Sequence, residues 1–255
     1  MKYYEKKEKE LKYMSKLSIV IPCYNEASKI RDNITKIRDY MKVECLHDYE
    51  IVLVNDGSKD NIAEVAEQIK ADFANPRQFN FVNYEQNRGK GYAVKTGIQN
   101  ATGDYIIFMD ADLSVSITAI MKYWKVKDEA DIWIASRRHP DACVTVETGL
   151  IRKITSKGCN ILTRMITGLK FEDTQCGFKC FKSDVAKKII TKQTLDRWSF
   201  DVELLMIAQL NGYTIKDFGI EWRNDADSRV SVLDASIKFF KELFYIRKNR
   251  KNYYL

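Results

Sequence analysis

Short apolar runs separated by longer mixed stretches set the rhythm of the first half of this chain. Leu17 to Ile21 is one such run, ended by Pro22, and Glu50 to Val54 is the next. Phe79 to Tyr84, Tyr105 to Phe108 and Asp131 to Ala135 continue the series. Their length and their β-branched and aromatic residues predict strands. Tyr105-Ile106-Ile107-Phe108 lacks polar alternation and predicts a strand covered on both faces. The intervening stretches predict helices over about 27–41, 62–73 and 90–99, with a further one ending near 125. Turn sequences at Cys23 to Glu26 and Asn55 to Ser58 lead into the first two. This alternation predicts an α/β fold, a mainly parallel sheet flanked by helices on both faces. From about Cys143 the rhythm changes to helices and irregular segments. With no Pro- or Gly-rich linker, that half is expected to pack onto the same sheet.

In such sheets ligands bind beyond the carboxyl ends of the strands, and the predicted strand ends here are unusual. They carry Asn25 and Glu26, then Asp56-Gly57-Ser58, then Asn87-Arg88-Gly89-Lys90-Gly91, then Asp110 and Asp112, then Arg137 and Arg138. Two carboxylates one residue apart after a buried strand can hold a hard divalent cation, which neutralises a diphosphate. The plain alternative is a solvated loop with two acids. Lys90, among glycines that let backbone come close, can face a phosphate. Asp56 can accept hydrogen bonds from a base or ribose. The Gly-Lys-Gly is no Walker loop, because the spacing before the lysine and the following Ser or Thr are absent. The first strand also lacks the glycine triplet of a dinucleotide fingerprint. A nucleotide bearing a diphosphate, with a metal, is the ligand that fits. The competing class is a cofactor-free binding module.

Composition adds a membrane surface to the candidate partners. Hydrophobic residues make up 45% and charged residues 30% of the 255, with a net charge of +7. No stretch approaches the apolar length of a membrane span, and the charged leader, residues 1–16, is no secretory signal. Two stretches read as basic amphipathic helices. Leu150 to Leu169 interleaves Ile151, Ile154, Ile161, Leu162, Met165 and Ile166 with Arg152, Lys153, Lys157 and Arg164. Ser231 to Tyr254 sets Val232, Ile237, Phe240, Leu243 and Phe244 near one face, with lysines and arginines around the rest. Such helices lie on anionic membranes, or pack on a core with a solvated basic face. No nucleic-acid motif accompanies the charge. The six scattered cysteines read as reduced thiols of a cytoplasmic protein. Cys176 and Cys180, with only His47 and His139 in the chain, make a poor zinc set.

Taken together, Pro22-Cys23-Tyr24-Asn25-Glu26, Asn55-Asp56-Gly57-Ser58, Asn87-Arg88-Gly89-Lys90-Gly91 and Asp110-Ala111-Asp112 resemble the ordered motif set of family 2 (GT-A fold) glycosyltransferases. Asp173-Thr174-Gln175-Cys176-Gly177-Phe178-Lys179 and the stretch Arg197 to Leu205 resemble the dolichyl-phosphate β-glucosyltransferase branch and its bacterial polyprenyl-phosphate relatives. The resemblance implies a GT-A domain over residues 17–230, followed by a basic amphipathic helix over 231–255. It implies inverting transfer of a hexose, glucose in the first place, from a UDP-sugar to a polyprenyl phosphate. Transfer to a hydroxyl of a cell-surface glycan or glycolipid precursor is the alternative.

Carried over by position, Pro22, Tyr24 and Glu26 would border the nucleobase, with Asp56 near the uracil or ribose. Asp110 would lie by the ribose and diphosphate and, with Asp112, would bind Mg²⁺ or Mn²⁺. Arg137, beside Arg138, would meet the acceptor phosphate. Gln175, Asp201 and Glu203 would line the sugar and acceptor side, with Asp201 or Glu203 as base for a hydroxyl acceptor. Trp198 and Trp222 would stack on sugar, or belong to the core, and Ser228-Arg229 would close over the diphosphate. Ser114 replaces an extra metal ligand of some relatives, and a hydroxyl is a poor substitute. The enzyme is expected at the cytoplasmic face of a membrane, held there peripherally.

Overall fold

A computed structural model of the chain describes residues 15–145, 150–223 and 232–255. Ser228 and Arg229, most of the leader, and the side chains of 150–157 and 232–237 lie outside the described residues. The predicted strands form β1 (Leu17–Cys23), β2 (Tyr49–Asp56), β3 (Phe79–Tyr84), β4 (Tyr105–Met109) and β5 (Ile132–Ser136). Between them run α1 (Ala27–Val43), α2 (Ile62–Ala71), α3 (Lys90–Asn100) and α4 (Thr118–Val126). Every residue of β1 and β2 is buried, including the polar Ser18, Glu50, Asn55 and Asp56 among their apolar neighbours.

The second half departs from the expectation of helices and irregular segments. It contributes β6 (Cys143–Val144), α5 (Leu150–Thr167), β7 (Phe178–Lys182), α6 (Ser183–Ile189) and α7 (Phe200–Leu210). These are followed by β8 (Ile215–Gly219), β9 (Glu221–Trp222) and α8 (Val232–Lys248). The seven-stranded sheet has the order β3-β2-β1-β4-β7-β5-β8. Its strands pair in parallel except β7, which runs antiparallel between β4 and β5. β6 and β9 pair separately. β7 escaped the hydropathy reading because Lys179, mid-strand and fully buried, interrupts its apolar run.

Two apolar layers cover the sheet. Ile19, Ile21, Ile51 and Leu53 meet α1, α2 and α4 on one face. Val20, Val52, Val54 and Phe108 meet α3, α6, α7 and α8 on the other. Each such side chain contributes on the order of 1.5–3 kcal/mol when fully buried. On α8, Phe239, Leu243 and Ile246 sit in the same apolar layer as that face of the sheet. Among the described residues no helix is long and apolar enough to cross a membrane.

Candidate active site

Parallel pairing sends the carboxyl ends of β1, β2, β4 and β5 to one edge. Because β7 is antiparallel, its preceding segment, with Gln175 and Gly177, arrives at that same edge. A cavity of about 670 Å³ opens there. Of the residues singled out from the sequence, it is lined by Pro22, Tyr24, Glu26, Asp56, Lys90, Asp110, Asp112, Arg137 and Gln175, and by Trp198 and Trp222. Arg138, Asp201 and Glu203 do not line it. Lys29, Gly177 and Arg197 do, and sequence reasoning had given them no place in the site.

The first two motifs hold each other in place. Asn25, at a φ of 56°, accepts a bond from the Lys59 amide, and its own amide donates to Ser58. The Asn55 side chain accepts from the Ser58 amide. Asp56 has the same kind of duty. One of its oxygens accepts from the Tyr84 hydroxyl at 2.9 Å and the Arg88 amide at 2.7 Å. The other accepts from the Asn87 side chain at 2.9 Å and the Gly89 amide at 2.8 Å. Its carboxylate is thus engaged in fixing the loop that starts α3, in addition to bordering the cavity. Gly89 has a φ of 109°, and a Cβ there would meet the Asp196 carbonyl oxygen at 2.6 Å. Glycine is required by both the backbone and the space.

α3 starts at Lys90 and so turns its positive end, together with the lysine, toward the cavity. Lys90 Nζ lies 2.5 Å from Asp110 Oδ1. Burial opposes its charge, but Asp110, Asp201 and Asp112 outweigh that and hold the ammonium above its ordinary pKa. The Asp110 amide donates to the Gly177 carbonyl at 3.0 Å. Gly177 faces the Asp110 side chain so closely that a Cβ would fall on the carboxylate. Asp112 is exposed, and one of its oxygens accepts from the Ser114 amide at 2.9 Å.

Two aspartates beside a cationic helix start fit a hard divalent cation, which accepts carboxylate oxygens and completes its shell with diphosphate and water. Among the described residues no group of three or more His, Cys, Asp or Glu gathers as a metal cage.

Arg137 is held by a carboxylate that the sequence did not pair with it. Its Nε and Nη2 donate to the two oxygens of buried Asp173 at 2.7 and 2.8 Å, and its amide adds a third bond. Burial works against both charges, yet the pairing raises the Arg137 pKa and lowers that of Asp173. The guanidinium also lies 5.5 Å from the Trp222 ring centroid. Arg138 makes no part of the wall; its amide bonds back to Ser136. The second arginine of the cavity is Arg197.

Asp201 and Glu203, placed in the site by resemblance, serve other ends. Asp201 is paired with fully buried Lys179 at 2.5 Å. Burial pushes its carboxyl above the ordinary value even though Lys179 and Lys90 pull it down. Glu203 is fully buried and accepts from the Thr194 and Leu195 amides, the Thr194 hydroxyl and the Tyr253 hydroxyl. Neither presents an open carboxylate to the cavity. Burial also pushes the thiols of Cys23 and Cys176 up to about 12, which leaves both protonated.

Residues 18–190 match the family described as Glycosyl transferase family 2. The chain is 31% identical over 243 residues to a dolichyl-phosphate beta-glucosyltransferase of Dictyostelium discoideum, covering 91% of this chain and 73% of that one. Its fold resembles the crystal structure of mannosyl-3-phosphoglycerate synthase from Rubrobacter xylanophilus. That match has a TM-score of 0.65 and 19% identity, covering 98% of this chain and 78% of the other. Glucosyl-3-phosphoglycerate synthase from Mycobacterium tuberculosis, in complex with Mn²⁺ and UDP-glucose, shares the fold at a TM-score of 0.62 and 14% identity, covering 96% and 82%.

Proposed function

The chain belongs to glycosyl transferase family 2, and from that premise we propose that it transfers glucose from UDP-glucose to a polyprenyl phosphate with inversion. The observation that carries the reading is one cavity lined by an acidic pair, Asp110 and Asp112, and by the cations Lys29, Lys90, Arg137 and Arg197. That arrangement suits two phosphorylated substrates, a diphosphate donor over α3 and a monophosphate acceptor near the arginines.

Tyr24, Pro22 and Glu26 border the nucleoside, and Asp56 holds the loop that delivers Lys90. Asp110 and Asp112 would hold Mg²⁺ or Mn²⁺, which supplies positive charge to the departing diphosphate. Lys90 adds a fixed ammonium on the same side. Arg137, its fork fixed by Asp173, retains N–H donors for an incoming phosphate. A phosphate monoester has its second pKa near ~6, so it is largely dianionic at neutral pH and needs no base. Its oxygen attacks the anomeric carbon, the bond to UDP breaks, and UDP leaves with the electron pair. A hydroxyl acceptor is disfavoured, because neither Asp201 nor Glu203 opens onto the cavity.

A lipid acceptor implies peripheral contact with a membrane. The outer face of α5 carries exposed Ile161, Leu162 and Met165 beside Arg164, a mixture that suits an anionic lipid surface. The test is a product assay with UDP-glucose, a short polyprenyl phosphate, Mg²⁺ and detergent micelles. Release of UDP with a glucosylated lipid phosphate is expected, falling at least about a hundredfold in Asp112→Ala. Slow donor hydrolysis without lipid product would keep the donor site and reject the acceptor.

A further inference from the structure

The loop that brings Arg197 and Trp198 to the cavity is tied at both ends to the C-terminal segment. At its far end, the Ser199 amide and hydroxyl both donate to one oxygen of Glu242 on α8, the amide at 3.1 Å. Ser199 is fully buried and immediately precedes α7, so this contact fixes where the chain enters that helix. At its near end, Glu203 gathers the Thr194 and Leu195 amides and itself accepts the Tyr253 hydroxyl at 2.8 Å. Between these ties Trp198 remains 52% exposed. A side chain with so little packing of its own takes its position from the backbone that carries it.

We propose that Glu242 is a positioning residue for the acceptor side of the site: through Ser199 it holds Arg197 and Trp198 at the cavity wall. Glu242 itself lies outside the lining. Its bonds to Ser199 are charge-assisted, stronger than neutral ones, and span 43 positions of sequence. The inference rests on the reading of this cavity as a site for two phosphorylated substrates. It adds that α8, anchored in the core by Leu243 and Ile246, is the support of the acceptor wall.

The experiment compares the full chain with Glu242→Ala, Glu242→Gln and Ser199→Ala. Glu242→Ala, which removes both bonds to Ser199, should raise the KM for a short polyprenyl phosphate roughly tenfold. The KM for UDP-glucose should stay unchanged, and amide exchange across 194–199 should quicken. Glu242→Gln retains an accepting oxygen and should recover most of the loss. Equal shifts in both KM values, or unchanged exchange across 194–199, would overturn the proposal. Should Glu242→Ala fail to fold, Ser199→Ala, which removes one of the two bonds, decides by the same split. Should the wild type bind UDP yet glucosylate no lipid phosphate, the acceptor reading has failed. Amide exchange then decides the Glu242 link by itself.

Discussion

Two lysine–aspartate pairs, built from the same groups at the same 2.5 Å separation, do opposite jobs in this protein. Lys90 and Asp110 are 34% and 31% exposed and face a cavity. Lys179 on β7 and Asp201 on α7 are 0% and 6% exposed. Water reaches the first pair and screens its attraction, so under the proposed function its members would exchange partners for a phosphate and a cation. The second pair is shut away from water. Its worth lies in avoiding a lone buried charge. Lys179 also donates to the Cys176 carbonyl at 2.9 Å, just before the glycine that faces Asp110. The buried pair thus supports the segment against which the exposed pair is set.

The strongest way to break the comparison is to remove one buried partner. Lys179→Met should destabilise the fold by about 3–5 kcal/mol, the cost of stranding a buried charge. Lys179→Met with Asp201→Leu should restore most of that. Urea midpoints measure both, and equal loss in single and double variants would show that the pair is not the cause.

A smaller effect is expected where the exposed pair meets its neighbour. Gly177→Ala puts a methyl group on the Asp110 carboxylate. Glucosyl transfer should fall about a hundredfold, as for a displacement of about 1 Å in a reacting group. Thermal melting should change far less than in Lys179→Met. A Gly177→Ala enzyme with full activity would show that the Asp110 geometry is not required.

Arg137 and Asp173 sharpen the comparison from between, since the carboxylate is buried while the guanidinium is 35% exposed. The Asp173 pKa is lowered on folding. The pair's stability is therefore full above the unfolded aspartate value near ~3.9 and is lost as pH falls through the lower folded value. Asp173→Asn should cost about 1.5–3 kcal/mol at pH 7, the worth of hydrogen bonds to a charge. The difference from wild type should shrink as pH falls below the unfolded aspartate value near ~3.9. Parallel stability curves for the two proteins over that range would contradict it.

The site was legible in the sequence wherever a motif followed an apolar strand. Pro22, Asp56, Lys90, Asp110 and Arg137 all stand at strand ends or at the helix start just beyond, and all reach the cavity. Glu203 was misplaced because a glutamate in a polar motif looks the same whether it serves a substrate or two loop amides. Arg138 follows Arg137 in the turn after β5 and stays outside the lining. Gly177 left only the trace of a glycine before an apolar run.

The sequence by itself determined the alternation of strand and helix, the polar strand ends and the family to which the chain belongs. These are local: a run such as Tyr105 to Phe108 records its burial in its own composition. Tertiary structure decided that β7 enters antiparallel and carries Gln175 and Gly177 to the edge where β4 delivers Asp110. It also decided that Lys179 is buried, because its partner lies 22 positions away on α7. A charge in a sequence reads as exposed until the fold supplies its counter-charge, and no local pattern can name a counter-charge so distant.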